Sequence, residues 1–269
     1  FLNVVKNGWK TSVFPLFLAV LFFALGFSTK WLVLYGFVGM LALLVALRLK
    51  DVAKLKESLV NRYVAFFDHP FLLLLGFLAI AVLVYFLTYI PDMLAGRTLS
   101  GVIDLQFWMY HYHSTLVATH PFSSQWWSWP LMVKPLFLFV SYLPNNINSV
   151  IVLLGNPAVW WVGFASIILA VERAIRGKDL AAIFITVIFF FQWIPYVFIS
   201  RLTFIYHFYV NVPFLCLASA YFINRYWRYK WGKVATIAFF ISVVVIFWLF
   251  YPVIGREVGL NVQHGRAVD

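Results

Sequence analysis

Charge is what this sequence has least of. Aspartate and glutamate together number 9 in 269 residues, and charged residues of every type make up 11%, where a soluble globular domain carries about 25%. Hydrophobic residues reach 64%. A water-soluble fold of this size has no way to hide so much apolar side chain, so the soluble classes are excluded. Cysteine is nearly absent: Cys216 is the single one, which excludes an intramolecular disulfide, a cysteine zinc cluster and a thiol redox pair. Its thiol lies in an apolar run and is expected to be buried and inert. No short signal-peptide pattern with a small-residue cleavage site precedes the first apolar stretch. The shortage of acids leaves a formal net charge of +11. The basic residues are dispersed and form no single patch, which argues against a nucleic-acid partner.

What is present is a series of long apolar runs. A bilayer core of about 30 Å takes roughly 20 helical residues, and the runs 11–28, 31–47, 70–91, 153–171, 181–200, 204–223 and 234–251 meet or nearly meet that length. The reading is an all-α polytopic membrane protein of six or seven spans. Only Thr29 and Lys30 separate the first two runs, so a tight hairpin and a broken helix explain that spacing equally well. The N-terminal ten residues and the loops 48–69, 172–180 and 224–233 hold 14 of the 20 basic residues. This places them on the cytoplasmic side. Lys30, Arg97, Lys134, Arg201, Arg256 and Arg266 fall on the opposite side. Residues 1–91 are then the first group of spans, with 48–69 a cytoplasmic loop, and 92–152 form one long external segment. The polar tail 255–269 is expected to fray.

Long connections tend to be functional or disordered, and the aromatic density of 92–152 argues against disorder. Residues 105–120, LQFWMYHYHSTLVATH, contain no glycine or proline. They predict a helix lying in the membrane interface, capped by Asp104 after Gly101 and ended by Pro121. On such a helix His113 and His120, seven apart, share a face. Two imidazoles without a convergent acid are weak grounds for a metal, and none is assigned. Trp126, Trp127 and Trp129 follow, as a membrane anchor or as an aromatic floor for a sugar or an isoprenoid chain. Pro130 and Pro135 argue against a continuing helix, so 131–143 is expected to lie on or dip into the membrane.

Gly155, Asn156 and Pro157 open the next span: asparagine suits the cap and proline the first turn. The positive end of that helix suits an anion such as phosphate. Arg201 stands between two apolar runs, as a snorkelling anchor or as a partner for a lipid phosphate. With Tyr206, His207 and Asn211 it is expected to shape a polar pocket at the external ends of two spans. Glu172, Arg173, Arg176, Lys230 and Lys233 mark cytoplasmic boundaries.

Several stretches, in order, resemble the C-terminal part of the protein O-mannosyltransferase family, of the prokaryotic kind. They are GFSTKWLVLYG from Gly26, YFLTYIPDMLAG from Tyr85, QFWMYHYHSTLVATHPFSS from Gln106, WWSWPLM from Trp126, LLGNPAVWW from Leu153 and RLTFIYHFYVNVPF from Arg201. The resemblance covers about Phe14 to Pro252. It implies a GT-C-like transmembrane bundle and a family region of four C-terminal spans. Three of these are counted within 153–254, and 70–91 is taken as the fourth. The implied activity is transfer of mannose from a polyprenyl- or dolichyl-phosphate donor to serine or threonine hydroxyls of translocating proteins. It would occur on the non-cytoplasmic face, with inversion at the sugar carbon and without a cofactor. Donor-phosphate, sugar or acceptor contacts are then expected from Arg201, His207, Asn156, His113, His120, Trp129, Tyr206 and Asn211, within surrounding membrane lipid. In the family the catalytic aspartate and glutamate lie together in the first external loop. No adjacent Asp-Glu pair occurs here, and the start at Phe1 resembles the middle of a family member. The base is therefore expected ahead of Phe1, in an N-terminal half that is a partner of this chain. Two departures stand out: Asp92 replaces an aromatic residue and is either solvated or paired with Arg97, and Val210 replaces a proline, which makes a continuous helix there easier.

A related transferase moving another sugar to lipid or glycan is the first alternative. A transporter or scaffold is disfavoured by the scarcity of charge within the spans.

Overall fold

A computed structural model describes residues 1–55, 58, 61, 69–143, 147–255 and 257–258. Part of the loop expected at 48–69 and the tail from 259 lie outside the described residues. The described helices are α1 (Leu2–Asn7), α2 (Val13–Thr29), α3 (Val33–Ala53), α4 (His69–Leu87), α5 (Ile90–Leu94), α6 (Leu99–Thr115), α7 (Pro157–Gly177), α8 (Leu180–Trp193), α9 (Val212–Tyr226) and α10 (Lys230–Gly255). Seven of them, counted with adjoining 3-10 turns, are long and apolar enough to cross a membrane: α2, α3, α4, α7, α8, α9 and α10. The all-α polytopic class is therefore what is observed. Four of the seven lie within 157–251, where three had been counted. The connections there are only a few residues long, and the four apolar runs between 153 and 251 correspond to these four spans, so the count of three left one of them out.

The chain divides into two compact units. The first comprises Phe1–Val117 and Ala170–Arg201. Here α2 packs on α4, and α3 packs on α8. The buried positions of α2, Leu16, Val20 and Ala24, are four apart and form one stripe. On α3, Gly36 and Gly39 let α8 approach closely, as small residues do between membrane helices. A Cβ at Gly39 would sit 2.8 Å from the Phe191 Cβ, and one at Gly36 would sit 2.8 Å from the Gln192 Oε1. Asp179 caps α8, accepting from the amides of Ala181 at 3.0 Å and Ala182 at 3.1 Å.

In the segment 92–152 the helix is displaced from its expected bounds of 105–120. Thr98, and not Asp104, is the cap: its hydroxyl accepts from the Gly101 amide at 3.1 Å. Gly101 therefore lies inside the first turn. The helix ends at Thr115, where Leu116 turns extended (φ −62°, ψ 111°), well before Pro121. His120 is accordingly not on it, and His113 and His120 share no helix face. Asp92 pairs with Arg97, the second of the two readings of that position.

The second unit comprises Ala118–Leu169 and Leu202–Asp269. Residues Trp126–Leu131 form a 3-10 helix. The stretch read as 131–143 lying on the membrane includes β1 (Leu136–Leu143), which pairs antiparallel with β2 (Ile147–Leu153); β2 also pairs with β3 (Glu257–Val258). A hairpin satisfies the backbone of an apolar segment that prolines bar from helix. Asn156 does cap α7: its Oδ1 accepts from Ala158 at 3.0 Å, and its Nδ2 donates to the Val243 carbonyl at 3.0 Å. Gly155 has no room for a side chain, since a Cβ would lie 2.2 Å from the Trp160 ring. Two expectations fail here. The segment Ile205–Asn211 is 3-10 and not continuous α-helix, despite the missing proline at 210, because Pro213 and a local bond from His207 shape the start of α9. Cys216 is exposed: an apolar neighbourhood in the sequence of a spanning helix does not by itself mean burial.

Replacing Gly39 by valine is expected to lower stability by about 1–3 kcal/mol through overpacking against Phe191. Val245→Ile on the exposed face of α10 should stay within about 0.5 kcal/mol. Thermal unfolding of the purified protein in detergent compares the two. Equal midpoints would mean that the α3–α8 seam is not tight.

Candidate functional site

In the first unit the decisive segment is the turn between α2 and α3. At the start of α3 its backbone amides find partners within the protein. Lys30 is extended (φ −159°, ψ 127°). The next three amides make short i to i+3 bonds: Val33 to the Lys30 carbonyl at 3.2 Å, Leu34 to Trp31 at 3.0 Å, and Tyr35 to Leu32 at 3.4 Å. The following amide, Gly36, donates to Gln192 Oε1 at 2.9 Å. Gln192 Nε2 in turn donates to the Leu32 carbonyl at 2.6 Å. The glutamine amide thus takes the place of the Gly36-to-Leu32 ladder bond.

The same turn is tied on its other side. Trp31 Nε1 donates to the Tyr85 hydroxyl at 2.9 Å. Tyr85 donates to Gln106 Oε1 on α6 and lies 3.0 Å from the Tyr89 hydroxyl. Gln106 and His113 are seven apart and share a face of α6, so this tie fixes the face that carries His113. Arg201 follows α8 and the 3-10 turn Ile194–Phe198, where the buried Tyr196 packs edge-on to Tyr35 at 6.1 Å between ring centres.

Lys30 and Arg201, which the charge map placed on one side, are thereby brought within electrostatic reach of each other and of the His113 imidazole. Partial burial and then the Arg201 charge hold the Lys30 ammonium below its ordinary pKa. Burial, then Arg201, then Lys30 lower that of the His113 imidazole, which leaves it mostly neutral at pH 7. Among the described residues no carboxylate pairs with Arg201. An anion would relieve the repulsion of all three, and its binding would draw a proton onto His113. Beside this turn an apolar cleft of about 170 Å³ opens between α2, α3 and α4, lined by Phe23, Phe27, Leu34, Phe37, Val82 and Tyr85 among others.

The remaining candidates lie in the second unit. Thr203 and Ser124 are strapped together: the Ser124 amide donates to the Thr203 carbonyl at 2.8 Å, and the Thr203 hydroxyl donates to the Ser124 carbonyl at 2.8 Å. Trp129 is buried and donates through Nε1 to the Ser124 hydroxyl at 3.0 Å. Its indole stacks on His207 at 5.8 Å, and Tyr206 also stacks on that imidazole, at 4.2 Å. His207 is buried, with Nδ1 3.2 Å from the Phe204 amide and 2.9 Å from the Phe204 carbonyl. The imidazole accepts from the former in one tautomer and donates to the latter in the other. His120 packs edge-on to Phe204 at 5.1 Å. Asn211 is fully buried, and neither polar atom of its amide has a hydrogen-bond partner among the described residues. Trp127, by contrast, is exposed.

Arg201 and His113 are therefore found with Lys30, a residue read in sequence only as a loop cation. Gln192 was missed. Its signal was a lone amide in the apolar run of α8, where a polar group demands a partner. Asn156 spends both ends of its amide on helix capping and the Val243 carbonyl.

Residues 98–264 match the family model for the C-terminal four-transmembrane region of protein O-mannosyltransferase. The chain belongs to the protein O-mannosyltransferase family. The match spans the aromatic-histidine helix α6, the Trp126–Leu131 turn and the four C-terminal spans. No curated protein matches. A solved structure, the S. cerevisiae protein O-mannosyltransferase Pmt1-Pmt2 complex bound to the sugar donor, is similar at 24% identity and a TM-score of 0.47. The match covers 59% of this chain and 24% of that one, so this chain spans about a quarter of that relative's length. Family membership makes it a multi-pass glycosyltransferase-family protein of the GT-C-like kind.

Replacing Arg201 by glutamine removes a positive charge and is expected to raise the His113 pKa toward 6.5, with Lys30→Gln producing a smaller rise. A pH titration of the His113 ring resonance, assigned by its loss in His113→Asn, measures both. No movement in Arg201→Gln would separate the two groups.

Proposed function

We propose that this chain is the C-terminal portion of a prokaryotic-type protein O-mannosyltransferase. It would transfer mannose from a polyprenyl- or dolichyl-phosphate donor to serine or threonine hydroxyls on the non-cytoplasmic face of the cell membrane. The observation that carries the reading is the convergence of Lys30, Arg201 and His113 at one turn. A lipid phosphate leaving group develops negative charge as the bond to the sugar carbon breaks, and cations fixed beforehand stabilise that charge most effectively. Arg201 brings a planar fork of donors suited to phosphate, and Lys30 a point charge. The neighbouring apolar cleft suits a hydrocarbon chain attached to that phosphate.

In the proposed step the hydroxyl oxygen bonds to the anomeric carbon from the face opposite the phosphate. The carbon–oxygen bond to phosphate breaks, the lipid phosphate leaves and a carboxylate takes the hydroxyl proton. Asp92 is engaged by Arg97 and Asp179 caps α8, so neither is assigned that role. In the second unit, Trp129 and His207 are buried and stacked on each other, so their part in the site is to hold the surrounding segment in shape.

Mannose transfer to a serine- and threonine-containing peptide, from a polyprenyl-phosphate mannose donor, tests the reading in the protein that contains this chain. Arg201→Ala is expected to reduce kcat/KM roughly 10²-fold. Labelled lipid in place of labelled peptide would favour the related lipid or glycan transferase, and unchanged turnover in Arg201→Ala would remove the phosphate role.

A further inference from the structure

We infer that Gln192 is a positioning residue which, by completing the first turn of α3, fixes Lys30 at a set separation from Arg201. The inference rests on the phosphate-site reading for its consequence in binding, and on hydrogen-bond geometry for its structural part. Gln192 is 2% exposed. Its carboxamide offers one acceptor and two donors, and it spends both kinds on a single backbone gap: it accepts from Gly36 and donates to Leu32. An α-helix bonds amide i to carbonyl i−4, so these two groups would otherwise meet each other. With the amide inserted between them, the turn that carries Lys30 is held by α8. Arg201 lies nine residues beyond Gln192 on the same strand of chain, through the turn Ile194–Phe198.

Three features make the arrangement specific. Gly36 has no side chain, and a Cβ there would lie 2.8 Å from Gln192 Oε1, so the insertion needs glycine at that position. Side chains that enter the ladder are a known cause of helix distortion, and here the preceding three amides make the shorter i to i+3 bonds. The Tyr35–Tyr196 ring contact ties the same two segments one turn further on. Two cations of like sign do not hold themselves together, and the repulsion between Lys30 and Arg201 must be borne by packing and hydrogen bonds from elsewhere. Gln192 makes hydrogen bonds at that point. It touches no reacting atom, and its effect travels through the Lys30 turn.

The experiment separates the geometry from the function. Nitroxide labels at Lys30→Cys and Arg201→Cys, in a background where Cys216 is replaced by serine, report the 30–201 distance by pulsed electron resonance in nanodiscs. With Gln192 present a narrow distribution is expected. Gln192→Leu, which keeps the volume and removes both bonds, should broaden it, and Gln192→Glu, which can still accept from Gly36, should broaden it less. In the chain with Lys30 and Arg201 restored, Gln192→Leu is expected to weaken binding of farnesyl phosphate about tenfold, with a larger change in KM than in kcat for mannose transfer. An unchanged 30–201 distribution in Gln192→Leu overturns the inference. If that variant does not fold, an unchanged distribution in Gln192→Glu overturns it equally, because that change removes the donated bond to Leu32. Absence of farnesyl phosphate binding in the unsubstituted protein would sink the phosphate reading, while the distance measurement would still decide the role of Gln192.

Discussion

Inside a bilayer, a backbone amide or carbonyl that lacks a partner in the protein lacks one altogether. The first unit is organised around one place where this requirement is hard to meet. The α2–α3 connection is too short for a gradual reversal, and its residues leave backbone groups open at the start of α3. Gln192 closes the gap from α8, Gly36 leaves the space for it, and Trp31 fastens the other side of the turn through Tyr85 to Gln106. The positions of Lys30 and His113 both descend from this set of bonds. The placement of these charged and titratable groups is thus set by hydrogen bonds made within the helices.

The second unit solves the same problem with different means. Proline-punctuated apolar sequence becomes a hairpin and 3-10 turns, and a Ser124–Thr203 strap ties the connecting segments together. Rings then fill the space: Trp129 lies against His207, and Trp160 packs on Phe208 and Tyr209. Asn211 stands out from this economy, since its buried amide is left without partners among the described residues, at a cost of about 1–3 kcal/mol for a buried polar group.

How legible each part was in sequence follows from which force shapes it. The spans could be read because the bilayer demands a simple run of apolar residues, and the helices α2, α3 and α8 lie within a few residues of the runs that announced them. The Asn156 cap could be read because capping is local. The helix α6 was misplaced at both ends because Thr98 and Asp104 are equally good caps by type, and only tertiary packing chooses. The β1–β2 hairpin was not foreseen, since short apolar runs do not distinguish strand from membrane-lying coil. Cys216 was assigned to a core on hydrophobicity alone, and in a membrane protein hydrophobicity does not separate interior from lipid-facing positions. Gln192 was overlooked for the opposite reason: its partner residues are 156 and 160 positions away, beyond any local pattern.

That separation has a consequence for how the bundle is made. Chains enter the membrane from the N-terminus onward, and long-range closures come last. Helix α3 is inserted with its Gly36 amide free to bond the Leu32 carbonyl directly, and the Gln192 amide can enter between them only once α8 has been synthesised. The Ser124–Thr203 strap, 79 residues apart, likewise waits for α7 and α8 to emerge between its two halves. Assembly is therefore completed backwards, each early span being locked by a later one, and a ribosome that stops before Gln192 leaves behind an α2–α3 turn with no tie to α8.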